Sequence, residues 1–128
     1  MITICICSPT PEIRRKLTLS VKSIFQKNGA EVIFHHLPSD LGYDESIRSL
    51  EQSDALVVDA AWERTYLTRR IYTRAMELGL NVWKEHEIHH SLGENDPDNS
   101  IQQTVYKQIQ KLKQNATVKN LPISAYCE

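Results

Sequence analysis

Asp54-Ala55-Leu56-Val57-Val58-Asp59-Ala60-Ala61-Trp62-Glu63-Arg64-Thr65 is the stretch that decides the fold. An apolar run between two aspartates reads as a short strand buried on both faces, as in a parallel sheet. Polar and aromatic residues follow as a turn. From about Thr65 to Leu78 the spacing changes to that of a helix, with an apolar stripe at Leu67, Ile71, Ala75 and Leu78. Gly79 closes that helix, and Asn81-Val82-Trp83 starts another strand. The unit is β-α-β.

Working back toward the N-terminus, the pattern repeats. Tyr43 to Gln52 is a short helix with Ile47 and Leu50 inward. Leu37 to Gly42 is a loop, and Glu31 to His36 a strand. Gly29 caps a longer helix whose stripe is Ile13, Leu17, Val21, Ile24 and Phe25. That helix has Thr10 at its N-cap and Pro11 at its first position. Ile2 to Cys7 is the first strand, apolar on both faces. Alternating strands and helices specify an α/β fold, a doubly wound parallel sheet flanked by helices. Right-handed crossovers and a flavodoxin-like winding predict four to five strands in the order 2-1-3-4.

Past Trp83 the character changes. Glu85 to Leu92 reads as a short helix, Gly93 to Ser100 as a polar linker. Ile101, Val105, Ile109 and Leu112 mark a last helix. The expected organisation is one α/β domain over residues 1–92. A linker and helix over 93–114 pack on it, and 115–128 form a flexible tail.

A chain of 128 residues is long enough for one domain. A domain of about this size buries roughly two-thirds of its unfolded surface. The formal net charge of −1 gives no overall drive toward nucleic acid or anionic membrane. No apolar run approaches the roughly 20 residues of a membrane span, and Met1 to Cys7 reads as a strand and not a signal peptide. Three cysteines, with Cys5 and Cys7 on one strand face and Cys127 in the tail, suggest reduced thiols and a cytoplasmic location.

In such a sheet ligands settle where the strands end. That edge gathers Ser8, Pro9 and Thr10, then His35 and His36, then Asp59, Trp62, Glu63 and Thr65, and finally Lys84 and Glu85. The helices after Thr10 and Thr65 point their N-termini there, favouring phosphate or carboxylate. Both threonines also serve simply as caps. Trp62 offers an indole for stacking a base or sugar, or a lid or dimer contact. Arg64, Arg69, Arg70 and Arg74 make the third helix basic. With Glu77 nearby this reads as a charge-paired solvated face, with phosphate recognition as the alternative. His86, His89 and His90 have the spacing of one helix face, but no motif supports a metal, and neither metal nor cofactor is expected.

The turn Trp62-Glu63-Arg64-Thr65, with Ser8-Pro9, Ser53-Asp54-Ala55 and Leu78-Gly79-Leu80, resembles the nucleoside 2-deoxyribosyltransferase-like superfamily. The likeness is greatest to its short bacterial and phage branch and runs from Ile2 to about Glu85. The resembling enzymes carry a glutamate on the third helix that attacks the anomeric carbon. The corresponding position here is Ile71, which can neither attack nor accept a proton. A glycine usually four residues earlier is Leu67, and the glycine of the first turn is Ser8.

The resemblance implies a nucleoside- or nucleotide-binding protein without its usual nucleophile, with Ser8, Pro9, Thr10, Trp62 and Thr65 as ligand residues. Two alternatives stand beside it. One is an active N-glycosidase or deoxyribosyltransferase in which Asp59 and Glu63 do the acid–base work, which needs carboxyls about 5–9 Å apart. The other is an interaction module with a degenerate pocket. The expected partners are a small-molecule nucleoside or nucleotide and further copies of the chain, since the resembling proteins commonly form oligomers.

Overall fold

A computed structural model describes residues 2–37, 42–91 and 100–119 of the chain. The elements run β1 (Ile2–Cys7), α1 (Pro11–Lys27), β2 (Val32–Leu37), α2 (Tyr43–Glu51), β3 (Ala55–Val58), α3 (Tyr66–Glu77), β4 (Asn81–Lys84), α4 (Glu85–Ser91) and α5 (Ser100–Lys119). A 3₁₀ turn, Trp62–Arg64, precedes α3. The strands form one parallel sheet in the order β2-β1-β3-β4, as the alternation of strand and helix predicts. The fold is doubly wound α/β.

Register follows from the side-chain alternation. In β1, Ile2, Ile4 and Ile6 enter one apolar layer with Ala55, Val57 and Trp83. Cys5 and Cys7 enter the other, with Leu56 and Val58. A shift of one residue would exchange the layers, so burial on both faces locks the pairing. The first layer is covered by Leu17, Val21 and Phe25 of α1, Ile88 of α4, and Val105, Ile109 and Leu112 of α5. Phe25 meets Trp83 edge to face, with ring centroids 5.8 Å apart. The second layer is covered by Leu50 of α2 and by Ile71 and Ala75 of α3.

The two helix-ending glycines do what their positions predict. Gly29 and Gly79 adopt φ of 71° and 73°, left-handed values that carry no side-chain penalty in glycine. Behind them Ala30 N–H reaches Phe25 O at 2.9 Å, and Leu80 N–H reaches Ala75 O at 3.0 Å. These bonds satisfy carbonyls left over at the helix ends. The Lys113 ammonium of α5 donates to Asn28 O at 2.9 Å, tying the last helix to the end of the first.

Several expectations need correction. β2 is shifted by one residue, starting at Val32 and including Leu37, which pairs with Cys7 and is buried. The buried stripe of α3 is Thr68, Ile71 and Ala75. Leu67 is half-buried, and Leu78 is an exposed helix-end residue, not a core one. Thr68 takes a core place because its hydroxyl finds the Cys7 thiol at 3.9 Å. α5 continues to Lys119, five residues beyond the expected helix end at 114, so 115–119 are helical rather than tail. The rest of the expected tail, 120–128 with Cys127, lies outside the described residues, as do 38–41 of the loop, Leu92 of the expected short helix and 93–99 of the linker. No helix among the described residues is long and apolar enough to cross a membrane.

Candidate functional site

β1 and β3 lie side by side, with Cys7 level with Val58. Beyond them the chain diverges. After β1 it passes through α1 on one layer, and after β3 through α3 on the other. This divergence is the switch point at which open α/β sheets form a ligand crevice. Here the two strand ends are joined. Ser8 Oγ donates to Asp59 Oδ2 at 2.8 Å, and the two residues are 0% and 2% exposed. The other carboxyl oxygen, Oδ1, accepts the Ala61 N–H at 3.1 Å. Thr10 N–H donates to Ser8 Oγ at 3.3 Å, and Arg14 Nη1 donates to Ser8 O at 2.6 Å. Burying a polar group is costly without a hydrogen bond, and the Ser8 and Asp59 side chains both have one.

The neighbouring thiols are likewise internal. Burial pushes the Cys7 thiol up to about 11, against a smaller lowering by the Thr68 bond. Burial also raises Cys5, opposed by its contact with Ser53 Oγ at 2.9 Å. Neither has the electropositive, exposed setting of a reactive cysteine. Ile71 is 1% exposed in the second layer, and Leu67 packs against the same cluster.

Next to this clasp lies an aromatic and cationic group. Trp62 stacks on Tyr72, with centroids 4.1 Å apart and planes 21° apart. The Lys84 ammonium lies 5.5 Å from the Trp62 ring and 5.9 Å from Tyr72. Both rings are half-buried and pack against the second layer. Glu85 Oε1 accepts the Ala60 N–H at 3.3 Å and its Oε2 lies 3.8 Å from His89 Nε2.

No family model matches this chain, and no curated protein or solved structure does either.

The expected site residues therefore separate. Ser8, Thr10 and Asp59 share one hydrogen-bonded cluster. Pro9 is exposed beside it, and Glu63 is exposed in the 3₁₀ turn, an environment unlike that of Asp59. Thr10 and Thr65 hold the N-cap positions of α1 and α3, but neither makes a side-chain capping bond. His36 bonds Thr18 Oγ1 at 3.0 Å, on the α1 side. Among the described residues no group of three or more histidine, cysteine, aspartate or glutamate side chains is arranged to hold a metal.

Tyr72 and Arg14 belong to this edge and were not singled out from the sequence. Tyr72 lies one residue past Ile71 and has no local signature of a stack on Trp62. The basic face of α3 shows its expected pairing with Glu77 at Arg74 and departs from it at Arg70. Arg74 pairs with Glu77 at 3.1 Å and Glu51 at 3.7 Å. Arg70 instead lies 4.2 Å over the Tyr43 ring of α2.

Proposed function

We propose that this chain is a non-catalytic member of the nucleoside 2-deoxyribosyltransferase-like group that binds a nucleoside or nucleotide at the strand edge. The observation that carries this reading is Ile71. It stands where the resembling transferases have their attacking carboxylate, and it is sealed in the core at 1% exposure. The Asp59 carboxyl is a poor substitute, since its oxygens are occupied by Ser8 and Ala61 and it is 2% exposed. The binding part is supported by the group of Trp62 in the turn after β3, Tyr72 of α3 and Lys84 at the end of β4. An aromatic pair with an adjoining cation suits a planar, electron-rich ligand.

Calorimetric titration with deoxynucleosides, nucleoside monophosphates and deoxyribose phosphate tests the proposal. The expected result is saturable binding of an uncharged deoxynucleoside, weakened in Trp62→Ala, with no free base released. Silence across the panel overturns it. So does base release that disappears in Asp59→Asn or Glu63→Gln.

A further inference from the structure

The groove between the outer faces of α2 and α3 has a volume of about 580 Å³. Such a volume is within the range of small-molecule sites, roughly 300–1,000 Å³. Tyr43 opens α2 and Tyr66 opens α3, and both line this groove with Arg69, Arg70 and Arg74. The arginines are not equivalent. Arg74 is neutralised by Glu51 and Glu77. Arg69 and Arg70 form no ion pair with any carboxylate among the described residues. The Arg69 guanidinium carbon lies 5.9 Å from the Tyr66 ring centroid, and that of Arg70 lies 4.2 Å over Tyr43 and 5.6 Å from Tyr66, with Nη1 donating to Tyr66 Oη at 3.5 Å.

The two guanidinium groups are held by tyrosine rings with no carboxylate between them, so an anion placed there would offset their mutual repulsion. α3 adds to the positive potential, because its first turn has no acidic residue and its N-cap makes no side-chain bond. Guanidinium forks match the oxygens of a phosphate in a way a carboxylate-paired arginine is not free to do. Tyr66 is 65% exposed, leaving ring area available for stacking. The far end of the groove carries the Arg74–Glu77 pair. Its carboxylate disfavours a second phosphate further along, and the chain's net charge of −1 offers no general attraction to a polyanion.

We propose that this groove is a binding site for a single phosphate monoester carried on a planar ring, of the nucleoside monophosphate class. Arg69 and Arg70 grip the phosphate and Tyr66 stacks the ring. The site is separate from the strand-edge reading and does not depend on it.

Titration of the full chain with adenosine 5′-monophosphate, phenyl phosphate, inorganic phosphate and a single-stranded oligothymidylate tests this, with amide shift mapping to locate the contact. Adenosine monophosphate and phenyl phosphate are expected to bind, each more tightly than inorganic phosphate, and to shift residues 66–70. Replacing both arginines (R69Q/R70Q) is expected to weaken both by at least about tenfold, the scale of a lost charge-assisted bond. Both arginines are exposed, so matched thermal melts will show that the double variant is folded. Equal affinity for wild type and R69Q/R70Q overturns the proposal. So does equal affinity for phenyl and inorganic phosphate, tighter binding of the oligonucleotide than of the monophosphate, absence of binding, or a dimer that dissociates in R69Q/R70Q. Loss of deoxynucleoside binding in Trp62→Ala bears on the strand-edge reading alone.

Discussion

Ser8 and Asp59, the residues that follow two adjacent parallel strands, are hydrogen-bonded to each other at 2.8 Å in the interior. The position at which a doubly wound sheet ordinarily parts is thereby held together by its own side chains. Ser8→Ala removes the donor to Asp59 Oδ2 and the acceptor for Thr10 N–H. The expected cost is about 1–3 kcal/mol, because a buried acceptor is left without its partner. Urea unfolding of Ser8→Ala against wild type measures it. No change in midpoint would show that the bond contributes nothing to stability.

Placing a glutamate at position 71 is expected to damage the fold and not to confer base release. Ile71 is 1% exposed among Leu56, Val58 and Ala75. An unpaired carboxylate placed there costs about 3 kcal/mol or more, a large part of the stability of an ordinary domain. Ile71→Glu should melt well below wild type at pH 7 and recover partly at acidic pH, where the carboxyl is neutral. Incubated with a deoxynucleoside, it should release no base.

Cys7 gives the molecule an alkaline limit. Its thiol is raised from 9.0 to about 11 by burial. The folded state therefore holds the proton more tightly than the unfolded state. The associated stability is fully present below pH 9 and is lost as pH rises through about 11. Cys7→Ala should show a flatter decline than wild type across that interval in denaturant titrations. Thiol alkylation of the native protein at pH 8 should be slow at Cys7 and fast only after unfolding.

Ser46 is an opportunity for stabilisation. It is 0% exposed on α2, and its hydroxyl has no hydrogen-bond partner. Ser46→Ala removes a desolvated donor and substitutes the best helix former, so a gain of about 1 kcal/mol is expected. Thermal melting of the single variant checks it, and a lower midpoint would mean the hydroxyl is satisfied in solution.

Much of the fold was legible because its punctuation is local. Pro11, Gly29 and Gly79 mark helix boundaries through their own backbone preferences, and the α1 stripe reads directly from spacing. Parallel pairing followed from the runs Ile2–Cys7 and Ala55–Val58, which are apolar on both faces. What was not legible depends on distant partners. Thr68 is polar and buried because the thiol of Cys7, far away in sequence, donates to its hydroxyl oxygen. Leu78 breaks the stripe because the helix has already ended there, with Leu78 as its C-cap and Gly79 left-handed behind it. At the candidate sites, the residue types at 8, 59 and 62 were visible. The engagement of Ser8 with Asp59, the stacking of Trp62 on Tyr72 and the approach of Arg70 to Tyr43 are tertiary relationships with no periodicity to reveal them.

The docking of α5 has a consequence for how the chain is made. Val105, Ile109 and Leu112 complete the layer over β1 and around Trp83, yet they come after all four described strands in the order of synthesis. A ribosome-bound intermediate that already possesses β1 to β4 still presents an oily, half-covered flank. Folding is thus expected to finish late, with a chaperone's opportunity to bind ending only when the last of those residues emerges.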